Sequence, residues 1–83
     1  ALEIRQRLSE LTSSRAAVTA AETAIRAATE GHRVLRDRFN AGVATATDVL
    51  DAEIAILQAE LDRTQAMASY RIAAAGLARA TGR

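Results

Sequence analysis

Large apolar residues recur every seventh position from Ile4 through Leu11, Val18 and Ile25, and the spacing continues to His32 and Phe39 with no proline anywhere in the chain. A seven-residue repeat sustained over this distance predicts a helix that buries one stripe against a neighbouring helix. Alanines repeat by seven beside that stripe, at Ala17 and Ala24 and again at Ala21 and Ala28. Side chains this small are expected to let the facing helix approach closely.

The second half of the chain repeats the plan. Leu50, Ile54, Leu57, Leu61, Thr64 and Ala68 alternate by four and three, which predicts the seam of a second helix. Ala52, Ala59, Ala66, Ala73 and Ala80 form a second row at spacing seven, and Val49, Ile56, Tyr70 and Leu77 a third that only Arg63 breaks. Three rows occupy more than one face, whereas a single partner helix covers only one. Two helices also bury a single seam against the conformational entropy of the whole chain, a second reason to expect lateral partners. The expected fold is therefore all-α, an antiparallel two-helix coiled-coil hairpin packed with further hairpins into a bundle or α-barrel, or self-associating as an isolated fragment.

The reversal falls between Phe39 and Asp51. Asn40 and Gly42 can adopt the left-handed conformation that ends a helix, and Thr45 with Asp48 has the spacing of a capping box, Asp being a shorter variant of the usual Glu. Arg33, Arg36 and Arg38 close the first helix while Asp48, Asp51 and Glu53 open the second, which suits both macrodipoles and predicts attraction across the turn. The expected organisation of residues 1–83 is a single hairpin, with helices over about 3–40 and about 46–81 and a turn over about 41–45, forming a fragment of a longer chain. Gly31 lies inside the first helix, where it costs about 1 kcal/mol relative to Ala unless close packing requires its missing side chain.

Composition narrows the function. With alanine at a quarter of the positions, no cysteine, and only Phe39 and Tyr70 aromatic, disulfides and thiolate metal sites are out. Eleven Arg against ten acidic residues give a net charge of +1 and no nucleic-acid footprint. No apolar run is long enough to span a bilayer, and no signal-peptide pattern opens the chain. His32 is the only histidine and sits on the predicted seam, where a packed or half-exposed ring is expected rather than a metal ligand. Asp48 and Asp51 lie one helical turn apart, but no nucleophile or oxyanion hole accompanies them, so no enzyme activity, catalytic residue, metal or other cofactor is expected. Ser9, Thr12, Ser13 and Ser14 make a polar patch with no assigned role.

The run Arg38-Phe39-Asn40-Ala41-Gly42-Val43, followed by Thr47-Asp48-Val49-Leu50-Asp51-Ala52, resembles the helical hairpin of TolC-family outer-membrane efflux proteins. The likeness continues through Ala59, Tyr70 and the closing Leu77-Ala78-Arg79-Ala80-Thr81-Gly82, and covers the first helix mainly by pattern. The resemblance implies a homotrimeric channel-tunnel for efflux or type I secretion. Its periplasmic part is a barrel of packed coiled coils hanging from an outer-membrane β-barrel that this chain does not include. The hairpin then belongs to the end farthest from that membrane, where the tunnel narrows to an aperture and meets the periplasmic adaptor of an inner-membrane pump.

On that resemblance Asn40, Gly42 and Val43 form the adaptor-docking tip, and Gly42 matches the tip glycine implicated in adaptor contact. Thr47 and Asp48 match a polar pair near the aperture, and Asp51 a carboxylate that lines the entrance. The match mixes features of the family's two repeats, with Ala44 standing where some second-repeat tips carry an Arg. Beside it stand other readings. Arg7-Leu8-Ser9-Glu10-Leu11 resembles the start of a motif in the coiled-coil hairpin of the periplasmic adaptor itself, although Val18 replaces the Ser or Thr expected there. The heptads also resemble the signalling hairpin of chemotaxis receptors, without its Glu-rich tip, and are compatible with a generic structural coiled coil or an amphipathic helix on a membrane surface.

Overall fold

The computed structural model describes residues 1–82. Two helices, α1 (Leu2–Asn40) and α2 (Ala46–Ala80), are joined by a short reversal and run antiparallel as a rod of 61 × 14 × 13 Å. A straight helix of 39 residues at 1.5 Å per residue is about 58 Å long, so the length of the molecule is that of its first helix.

Helix α1 turns the expected stripe inward. Ile4, Leu11, Val18, Ile25 and His32 are half-buried, and Ala21 beside them is buried, with Ala28 and Leu35 half-buried in the same row. Ala17 and Ala24, expected to flank the seam closely, are exposed. Phe39 departs from the stripe and is 44 % exposed. It lies in the last turn of α1, level with the first residues of α2, where little helix remains opposite to cover it.

Helix α2 presents a different face from the one its largest side chains predict. Ala52, Ala59 and Ala73 are buried, Ala66 and Ala80 half-buried, and the row Val49, Ile56, Arg63, Tyr70, Leu77 is half-buried beside them. The predicted seam points away: Leu50, Ile54, Leu57 and Leu61 are 54, 54, 64 and 51 % exposed, and Thr64 and Ala68 are exposed with them. The reason is closeness rather than size. A continuous row of methyl groups lets the two backbones approach, and α1's branched side chains then gain dispersion contact with main chain as well as side chain. The resulting core is thin, since among the described residues no large side chain is fully buried.

Three polar features fix the register of this seam. Arg63 interrupts the third row and turns its guanidinium to Glu22, with Nε and Nη2 each 3.3 Å from Oε2. His32 Nε2 lies 3.4 Å from Glu53 Oε1. Near the other end Gly76 is buried, and a Cβ there would stand 3.2 Å from Arg7 Nη1, so the Arg7 side chain is laid over the main chain of α2. Gly31, by contrast, is exposed with nothing within 4 Å of a would-be Cβ, so packing inside the hairpin does not offset its helical cost. Thr12 and Ser14 of the polar patch donate to the carbonyls of Leu8 and Leu11, at 2.9 and 3.0 Å.

Candidate functional site

The reversal is built by two capping devices placed back to back. Helix α1 closes in a Schellman arrangement: the Val43 N–H donates to the Arg38 carbonyl at 2.8 Å and the Gly42 N–H to the Phe39 carbonyl at 3.0 Å. Gly42 takes the left-handed conformation this geometry demands, with φ of +79°. Asn40, the other residue fit for that role, stays helical, and Ala41 follows at φ −85°, ψ −1°. A Schellman end usually packs its last residue on an apolar side chain of the final turn. Here the corresponding positions are Asp37 and Arg38, and Val43 is left 72 % exposed.

Helix α2 opens with the full capping box. Thr45 is extended at φ −91°, ψ 162°; its Oγ1 accepts from the Asp48 N–H at 3.1 Å, and the Asp48 carboxylate accepts from the Thr45 N–H at 3.0 Å. The bond from the Thr45 backbone, reinforced by its side chain, holds the Asp48 carboxyl below the usual carboxylate range. The turn thus satisfies four main-chain N–H groups without help from a neighbouring molecule.

The residues expected at the tip divide accordingly. Asn40, Gly42 and Val43 are brought together at the apex, all exposed. Thr47 and Asp51 are exposed on the first turns of α2, whereas Asp48 spends its side chain on the cap. Asp51 forms no ion pair among the described residues, so its carboxylate faces solvent. The attraction expected across the turn is replaced by a local one. Arg33 binds Glu30, at 2.6 and 3.0 Å, and Asp37, at 3.0 Å, all within α1. These bonds, led by the Arg33–Glu30 contact, lower the Glu30 carboxyl and raise the Arg33 guanidinium.

Phe39 is a tip residue that the heptad reading missed, because a repeat that continues in sequence was assumed to continue in packing. With Val43 it puts two exposed apolar side chains at or beside a main-chain reversal whose glycine has open space around it. Such a surface can take another chain's side chains and backbone without rearranging the turn. Among the described residues there is no group of three or more His, Asp or Glu placed to hold a metal ion, and no helix is long and apolar enough to cross a membrane.

No curated protein and no solved structure matches this chain. The family model described as Outer membrane efflux protein matches residues 1–83, the whole of the sequence given. A rod of two close-packed helices with a capped, apolar tip is consistent with that match, and the chain belongs to the outer membrane efflux protein family.

Proposed function

We propose that this hairpin is the periplasmic tip of a trimeric outer-membrane channel-tunnel for efflux or type I secretion. It docks the periplasmic adaptor of an inner-membrane pump and contributes to the entrance aperture, with no catalytic step and no cofactor. The observation that carries the reading is the apex itself: Gly42 in a left-handed turn with empty space above it, flanked by the outward Val43 side chain. A self-satisfied backbone and an uncovered valine make a preformed surface that costs little to desolvate. Membership of an efflux family supports a transport role for it.

In this arrangement Asn40, Gly42 and Val43 meet the adaptor, and Thr47, Asp48 and Asp51 lie toward the aperture. Asp48 holds the first turn of α2 in place, and Asp51 supplies the free charge. Three symmetry-related Asp51 carboxylates around the entrance would favour cations. Sister protomers flank the hairpin, and the outer membrane is reached through parts of the protein outside this chain.

The test is Gly42→Asn in the full-length protein. Asn tolerates left-handed backbone, so the turn survives while a side chain now fills the space above it. Export should be lost while the trimer still assembles. Normal export from a trimer carrying this variant would remove the docking role from Gly42.

A further inference from the structure

On one flank of the seam the two helices open a groove of about 270 Å³, lined by Arg15, Val18, Thr19 and Glu22 of α1 and by Met67 and Tyr70 of α2. The Arg63–Glu22 contact sets the register there, and four residues along each helix from that pair bring Met67 level with Val18. Three more bring Tyr70 level with Arg15. These spacings keep each set of residues on one helix face, and seven residues at 1.5 Å each make the groove about 10 Å long. The chain has one Met and one Tyr, and both stand here.

The groove is layered by chemistry. Val18, Met67 and Tyr70 are half-buried and form an apolar floor, whereas Arg15 is exposed at its mouth. Thr19 donates to the Arg15 carbonyl at 3.3 Å and Glu22 accepts from Arg63, so both are already engaged. The Arg15 guanidinium and the Tyr70 hydroxyl have no hydrogen-bond or ion-pair partner among the described residues. With Glu22 paired to Arg63, the uncompensated charge at the groove is the single positive charge of Arg15.

From this arrangement we propose that the groove binds a small aromatic carboxylic acid, its ring on the floor and its carboxylate on Arg15 and Tyr70. A carboxylate accepts a forked pair of bonds from a guanidinium and a further one from a phenol. The ring gains contact with the Met67 sulfur and the Tyr70 ring. Neither half of the ligand suffices by itself, because an ion pair exposed to water contributes little and an open floor covers only one face of a ring. The ligand therefore carries both, joined by a linker short enough for the length of the groove. Eighteen residues of α1, about 27 Å of helix, separate Glu22 from Asn40, so the site is distinct from the apex.

The Met67 methyl and the Tyr70 ring give the only NMR signals of their kind in this chain, which makes them site-specific reporters. Phenylpropionate titrated into the isotope-labelled chain at neutral pH should shift both signals together, saturating with one dissociation constant. Phenylpropionamide, of the same shape without the charge, should bind about tenfold more weakly. Acetate should leave both signals in place. Arg15→Gln should reduce the affinity for the acid to that for the amide, while Arg5→Gln, an exposed arginine outside the groove, should leave it unchanged. Circular dichroism checks that both variants keep their helices. The absence of a saturable shift, equal affinity for acid and amide, or an acid titration indifferent to Arg15→Gln would overturn the proposal. So would reporter signals that move on dilution of the chain alone, since a second copy would then occupy the groove. None of these results touches the docking role, which is read from export by the Gly42 variant.

Discussion

Helices α1 and α2 are similar in length and equally periodic, but they place their apolar mass differently. Helix α1 directs Ile4, Leu11, Val18, Ile25 and Leu35 at its partner, and of its large apolar side chains only Leu2, Leu8 and Phe39 stand outside. Helix α2 offers its partner mostly alanine and keeps Leu50, Ile54, Leu57 and Leu61 on its back. A helix of the first kind is completed by one neighbour. A helix of the second kind is half completed, because exposing four large aliphatic side chains in a row forgoes burial worth about 1.5 to 3 kcal/mol for each one fully covered. The inner face holds the hairpin together, and the outer face is suited to holding hairpins to one another.

The sharpest way to break this distinction is to overfill the inner face. Ala59 is 6 % exposed at mid-helix, and Ala59→Leu forces the close-packed backbones apart, with an expected loss of about 1 to 3 kcal/mol in chemical denaturation. Ala55, exposed on the same helix, is the control: Ala55→Leu should change stability by less than about 0.5 kcal/mol. Equal effects at the two sites would mean that the alanine row is not the seam.

The contrast also explains what could be read from the sequence. Helices, antiparallel hairpin and capping box were legible because each rests on local chemistry: a seven-residue repeat, an uninterrupted backbone, and Thr45 three residues before Asp48. The identity of the inner face of α2 was not. Hydrophobic periodicity marks which faces are apolar, but it does not rank two apolar faces of one helix, and side-chain size pointed to the wrong row. The Arg7–Gly76 contact was equally hidden, since nothing local to Gly76 indicates that an Arg almost seventy positions away will lie over it. At the tip, Gly42 was recognisable as the left-handed residue, whereas the exposure of Phe39 depended on where α2 begins.

A smaller effect separates the tip from the shaft. Thr45→Ala removes one half of the capping box and should cost about 1 kcal/mol, frayed into the first turn of α2, as read by hydrogen exchange at Asp48 and Val49, whose amides bond to Thr45. The same site carries a pH dependence of known sign. Because the Asp48 carboxyl is lowered in the folded chain, its contribution is complete above the ordinary Asp range and disappears as pH falls through the lowered value. The wild-type chain should therefore lose protection at the start of α2 on strong acidification, and Thr45→Ala should show a weaker version of that loss. An acid response unchanged by the substitution would assign it elsewhere, with Glu30 the first candidate because Arg33 lowers its carboxyl too.

The smallest expected effect on the hairpin itself is the most informative about its surroundings. Leu57 is 64 % exposed, and Gln has nearly the helix propensity of Leu, so Leu57→Gln removes little buried area and costs the helix little. At dilutions where the chain is monomeric, its unfolding free energy should stay within about 0.5 kcal/mol of wild type. At concentrations where copies associate, the same substitution should lower the melting temperature and weaken assembly, because it places an amide in the apolar row that association would cover. Measured together, the two numbers apportion the stabilising role of one residue between the hairpin and its neighbours. A large loss in the monomer would instead mean that the outer row turns inward in solution, and the difference between the two helices would disappear with it.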